Sequence, residues 1–289
     1  MMGVAPLQLS PREIPSARTV MERAGGENFP VAARVLSRRH RRELLAVYGF
    51  ARLADEIGDE LEGDRLAALD WLEGELDSAY VGQAHHPLLR SLQQALVEHP
   101  LPREPFVRLI EANRLDQRVG RYETWEQLAA YCELSANPVG ELVLGVFDLA
   151  TPERIVLSDR VCTALQLIEH LQDLGEDMAR GRSYLPEQDL ARFGSSHAGL
   201  RETVVFETAR ARELLAAGPT LVASVPGRAK LAVAGFVAGG EAAIGEIERA
   251  RYEVLGGVPQ ARAWRRARGL ARVLGRSARR SAVTGSGVR

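Results

Sequence analysis

Gln166-Leu167-Ile168-Glu169-His170-Leu171-Gln172-Asp173-Leu174-Gly175-Glu176-Asp177 is the most informative stretch of this chain. Leu167, Ile168, Leu171 and Leu174 return at helical intervals and mark one apolar face, with Leu165 just ahead of it. Glu169, Asp173 and Asp177 stand four residues apart and form a second stripe on the same helix. Like charges one turn apart repel, so a carboxylate stripe beside an apolar face predicts a cation in a pocket near the core. His170 points away from that stripe and reads as a structural histidine rather than a ligand.

A second acidic segment, Ala54-Asp55-Glu56-Ile57-Gly58-Asp59-Glu60, echoes the first, with Asp55 and Asp59 again four apart. It falls near the end of a predicted helix, where the negative end of the helix dipole disfavours acids. Alone it reads as a solvated acidic face. Paired with the first, it points to hard oxygen ligands for Mg²⁺, an ion that keeps some of its waters and shares its coordination sphere with substrate phosphates.

The rest of the sequence is consistent with an all-α fold. Of the 289 residues 46% are hydrophobic and only 6% aromatic, and no stretch sustains the alternation that strands require. Helical patterns are predicted over 39–61, 64–80, 87–98, 104–121, 124–147, 152–180, 199–217 and 228–255, with a last basic helix over 259–274. Thr124 with Gln127, and Thr151 before Pro152, supply start signals, while Gly181, Gly218 and the Gly256/Gly257 pair supply stops. Asn137-Pro138 predicts a kink inside the fifth segment. Residues 1–275 are expected to form one domain and 276–289 a disordered basic tail.

The formal net charge of −1 argues against a nucleic-acid binder. It conceals segregation, however. Asp55 to Asp64 holds six acids and no base, whereas Val254 to the end holds nine arginines and no acid, a candidate contact for an anionic membrane surface. Cys132 and Cys162 lack zinc-type spacing and are expected to be buried free thiols. Met1 to Leu9 shows no signal-peptide pattern, and the longest apolar run, Leu231 to Gly240, is too short to span a bilayer, so the cytoplasm is the expected compartment.

These motifs and their flanks resemble the squalene/phytoene synthase family. Glu27-Asn28-Phe29-Pro30 and Ala46-Val47-Tyr48-Gly49-Phe50-Ala51-Arg52 precede the first acidic pair, and Gly181-Arg182-Ser183-Tyr184-Leu185-Pro186 follows the second. The opening Glu27-Asn28-Phe29-Pro30 and the pair Gln172-Asp173 are most similar to the hydroxysqualene synthase branch. The resemblance implies an all-α isoprenoid synthase bundle around a central cavity. It implies Mg²⁺ on Asp55, Asp59, Asp173 and Asp177, with Glu169 standing where many members carry a metal-binding Asn. Tyr48, Phe29, Arg52, Gln166, Gln172, Arg182, Tyr184 and Tyr252 would contact the substrate, and Tyr48 would also serve catalysis; Phe50 is a further candidate for the cavity wall.

The activity implied is ionisation of presqualene diphosphate and capture of the cation by water, giving hydroxysqualene. Water capture needs no reductant, and no glycine-rich nicotinamide fingerprint is present. Two alternatives stay open: a full head-to-head synthase acting on two prenyl diphosphates, and a non-catalytic helical relative.

Overall fold

The computed structural model describes residues 14–22, 36–259 and 261–285. Glu27 to Pro30, including Phe29, lies outside them. Among the described residues there are helices and no strand, only one isolated bridge between Arg121 and Ser183. The described residues fall into two compact units, one within 1–27 and 38–119 and the other within 28–37 and 120–289. Irregular chain between Asp116 and Trp125 separates the helices of one from those of the other.

The first unit contains α1 (Ala17–Glu22), α2 (Arg38–Asp59), α3 (Arg65–Tyr80), α4 (Pro87–Glu98) and α5 (Glu104–Asp116). Helix α2 is its axis. Leu44, Val47, Phe50, Leu53 and Ile57 recur every three or four residues and are buried against α4 and α5. Phe50 meets Phe106 edge-on with ring centroids 5.0 Å apart, so it belongs to the solid core, not to a cavity wall. Each such side chain contributes roughly 1.5–3 kcal/mol on burial. Asp64 caps α3 by accepting the Ala67 N–H at 2.9 Å. Arg65 then donates to the carbonyls of Leu61 and Asp59, both at 2.9 Å, and offsets the negative end of α2 where the acids sit.

The second unit contains α6 (Trp125–Ser135), α7 (Asn137–Val146), α8 (Pro152–Gln172), α9 (Leu174–Ala179), α10 (Glu187–Phe193), α11 (His197–Leu215), α12 (Gly218–Ser224), α13 (Gly227–Arg249) and α14 (Ala263–Gly285). Helix α8 is its axis, packed by α6, α7, α11, α12 and α13. The helix expected over 124–147 divides at Ala136, which leaves Pro138 in the first turn of α7, where its missing N–H costs nothing. Thr151 caps α8 through the Arg154 N–H at 3.4 Å.

Three expected boundaries move. The segment over 152–180 breaks at Asp173, which ends α8 and begins α9. The segment over 228–255 ends at Arg249, not at the glycine pair, because Arg251 and Tyr252 turn left-handed at φ 53° and 62°. Their N–H groups bond the carbonyls of Glu248 at 2.9 Å and Ile247 at 3.0 Å, a helix stop usually made with glycine. The tail expected to be disordered from 276 is instead helical to Gly285: Val273 and Ser277 are buried, and Arg280 donates to the Thr220 hydroxyl at 2.5 Å.

Candidate active site

In the first unit Tyr48, Arg52, Asp55 and Asp59 follow one another along the last three turns of α2. Tyr48, Arg52 and Asp55 are half-buried, and Asp59 reaches the surface. Burial pushes Asp55 up to about 6; the Asn113 amide and Arg52 work against the rise, while Asp59 and Asp116 add to it. This carboxylate is short of positive charge. Asn113, buried on α5, donates from Nδ2 to Asp55 Oδ1 at 3.3 Å and to the Leu109 carbonyl at 3.0 Å. That approach requires Gly58, because a Cβ there would lie 2.0 Å from Asn113 Oδ1. Gln117 braces the same turn by donating to the Gly58 carbonyl at 2.9 Å.

Arg52 and Glu56 approach only to 4.0 Å, beyond a hydrogen bond, and the buried Nε of Arg52 has no hydrogen-bond partner among the described residues. A buried guanidinium N–H left over beside two aspartates is a donor available for an anion.

In the second unit the acidic stripe crosses the break between α8 and α9 without losing register. The Asp173 N–H donates to the Glu169 carbonyl and the Asp177 N–H to the Asp173 carbonyl, each at 2.9 Å. Glu169, Asp173 and Asp177 therefore remain successive turns of one ladder, with Glu169 and Asp173 exposed and Asp177 half-buried. Partial desolvation, reinforced by Glu176, raises Asp173 above its ordinary range, and Arg180 opposes it. Gly175 lies inside the motif, and a Cβ there would fall 2.1 Å from the Leu255 carbonyl oxygen. The left-handed turn at Arg251-Tyr252 thus delivers the following loop onto the back of the acidic segment. The half-buried Tyr252 takes its position from that turn.

Arg182 donates its backbone N–H to the Asp177 carbonyl at 2.9 Å, which ties the flanking segment to the stripe. Gln172 is half-buried on the last turn of α8. Gln166 donates its amide N–H to His170 Nε2 at 3.3 Å, so that nitrogen accepts and Nδ1 carries the proton. His170 is buried and stacked on Tyr184 at 3.9 Å with the rings 7° from parallel. Burial holds it down at about 3, a neutral structural imidazole. Tyr184, Tyr122, Tyr131 and His170 form one aromatic cluster, with Tyr131 and Tyr184 5.5 Å apart. Cys132 is a buried free thiol and Cys162 is partly exposed, and burial pushes them up to about 12 and 11.

Sequence reasoning missed three residues here. Asp116 and Asn113 reach Asp55 from a helix that carries no motif of its own. Tyr131 lies inside the predicted 124–147 helix without a motif of its own and joins Tyr184 and His170 only through packing.

Among the described residues no three His, Cys, Asp or Glu side chains close into a metal cage. The donor set nevertheless suits Mg²⁺. That ion is held by one or two carboxylates with water and substrate phosphate completing an octahedron, not by an all-protein cage. Asp55, desolvated by burial, and Asp173, partly desolvated and beside Glu176, are carboxylates that a divalent cation would relieve.

The chain matches the squalene/phytoene synthase family model over residues 22–268. It is 40% identical over 174 residues to the hydroxysqualene synthase of Rhodopseudomonas palustris, covering 58% of each chain. It is 38% identical over 200 residues to that of Zymomonas mobilis, covering 63% of this chain and 65% of the relative. The matches thus span somewhat under two thirds of these relatives' length. The solved structure of a squalene synthase, HpnC, from Alicyclobacillus acidocaldarius superposes with a TM-score of 0.76 at 43% identity, covering 82% of this chain and 93% of that one. Its all-helical architecture is the isoprenoid synthase fold. On the extent of the family match, the chain belongs to the squalene/phytoene synthase family.

Proposed function

We propose that the chain converts presqualene diphosphate and water to hydroxysqualene and diphosphate. The observation that carries this reading is the pair of acidic segments, each with aspartates one helical turn apart, one of them beside the unpartnered Nε of Arg52. The likeness to hydroxysqualene synthases, and Gln172 before Asp173, favour this reading over a full head-to-head synthase.

Asp55, Asp59, Asp173 and Asp177, with Glu169 beside them, would hold Mg²⁺. Bound there, Mg²⁺ supplies Lewis-acid stabilisation of the departing diphosphate. Arg52 donates to the same group through Nε, and Asn113 keeps Asp55 turned toward it. Arg182 and Tyr252 flank the diphosphate; Tyr48, Phe29, Gln166, Gln172 and Tyr184 contact the rest of the substrate. The carbon–oxygen bond breaks with its electron pair leaving on diphosphate. The cyclopropyl ring opens, and water adds its oxygen to the cation and loses a proton. Tyr48 offers an aromatic face, worth about 0.5–2 kcal/mol to a nearby cation.

Purified protein with Mg²⁺ is to be given presqualene diphosphate or farnesyl diphosphate, and the products identified by mass. Hydroxysqualene from presqualene diphosphate alone is the expected result. Products formed only from farnesyl diphosphate overturn this reading in favour of the head-to-head synthase, and no product from either favours a non-catalytic relative.

A further inference from the structure

Seven of the arginines near the end of the sequence, from Arg265 to Arg280, lie on helix α14. Helix α14 lies against α12 and α13, burying Gly269, Val273 and Ser277, and the adjoining flank of the helix lines a groove of about 980 Å³ shared with α11, α12 and α13. Eight arginines and only two acids, Glu241 and Glu248, line it, so the groove is strongly cationic.

The acids nearby are already engaged. Glu241 pairs with Arg276, Glu248 with Arg212, and Glu246 with Arg249 at 2.6 Å and Arg265 at 2.9 Å. For Arg268, Arg272 and Arg279 the described residues offer no acid. Their spacing of four and seven places all three on one side of α14 along about 16 Å of helix. All three are exposed, so this flank of the helix can adsorb to a charged surface.

We propose that this groove docks the protein on a membrane by taking the phosphate headgroups of anionic lipids between Arg268, Arg272 and Arg279. The choice of lipid over other anions rests on the hydroxysqualene reading, whose substrate and product are both long-chain isoprenoids. A neutral or zwitterionic surface lacks the charge that these arginines complement.

The test is co-sedimentation of the full chain with vesicles of phosphatidylcholine alone or with a third phosphatidylglycerol, without substrate. Binding to the anionic vesicles only, weakening steeply as salt is raised, is expected. At about a factor of five per arginine, Arg268→Gln/Arg272→Gln/Arg279→Gln lowers partitioning on the order of a hundredfold. Turnover of presqualene diphosphate in detergent stays as in the wild type.

Equal binding to neutral vesicles, salt-independent binding, or full binding by the triple variant overturns the proposal. So does tight binding of inorganic diphosphate or duplex DNA by these arginines without vesicle binding. The salt titration uses the unaltered chain and decides even if the variant misfolds. Vesicle binding without hydroxysqualene production counts against the catalytic reading and leaves the groove assignment standing.

Discussion

Asp55 owes its geometry to two neighbours with no charge, Asn113 and Gly58. Asn113 supplies the amide, and Gly58 supplies the space for it. Asn113→Ala removes a hydrogen bond worth about 1 kcal/mol, so the Mg²⁺ concentration for half-maximal turnover should rise about five- to tenfold with kcat little changed. Magnesium titration of the rate checks this; an unchanged requirement would separate Asn113 from the site. Gly58→Ala should be worse, costing about 1–3 kcal/mol of stability as the new methyl displaces Asn113. Denaturant melts measure that loss directly. Neither neighbour was legible in the sequence. Asp55 and Asp59 announced themselves by spacing, but nothing in Asn113 or Asp116 says that α5 will bring them to α2.

At the scale of elements, the stop of α13 and the break between α8 and α9 form one device. Two consecutive left-handed residues, Arg251 and Tyr252, turn the chain so that the Leu255 carbonyl can rest on Gly175. Without a Cβ, glycine adopts such φ values freely, whereas other residues are strained by about 1–2 kcal/mol. Arg251→Gly should therefore raise stability by roughly 0.5–1 kcal/mol, read from the denaturation midpoint. Gly175→Ala should lower turnover at least tenfold while leaving helicity intact, since its methyl would push the loop carrying Tyr252 away from Asp173 and Asp177; wild-type turnover would detach the loop from catalysis. Periodicity alone gave most helices, and 87–98 matched at both ends. It missed the stop at Arg251 because Gly256 and Gly257 carry the stronger local signal, and tertiary contact, absent from any local pattern, decided the outcome. The short helices α10 and α12 escaped notice for want of a full amphipathic repeat.

Across the molecule, charge is arranged in pockets of contrasting chemistry. Away from the acidic segments, α10 and α11 bury Glu207 and Asp189 around Arg210, which also lies 4.5 Å from the Trp125 ring centroid. Burial pushes Glu207 up to about 8, with Arg210 opposing and Asp189 assisting. An unfolded glutamate titrates near 4.3, so between about pH 4.3 and 8 the folded chain holds the extra proton and stability falls as pH rises. Glu207→Gln should flatten that slope, as thermal melts across the range would record; an identical slope would place the titration elsewhere.

The two acidic segments carry the proposed chemistry of the whole molecule. Diphosphate release from presqualene diphosphate, followed with Mg²⁺ or with chelator, in the wild type, Asp55→Asn and Asp173→Asn, tests it most directly. Release only with Mg²⁺, and a loss of at least about a hundredfold in each variant at unchanged helicity, is expected. Release that survives chelation, or full activity in either variant, would contradict it.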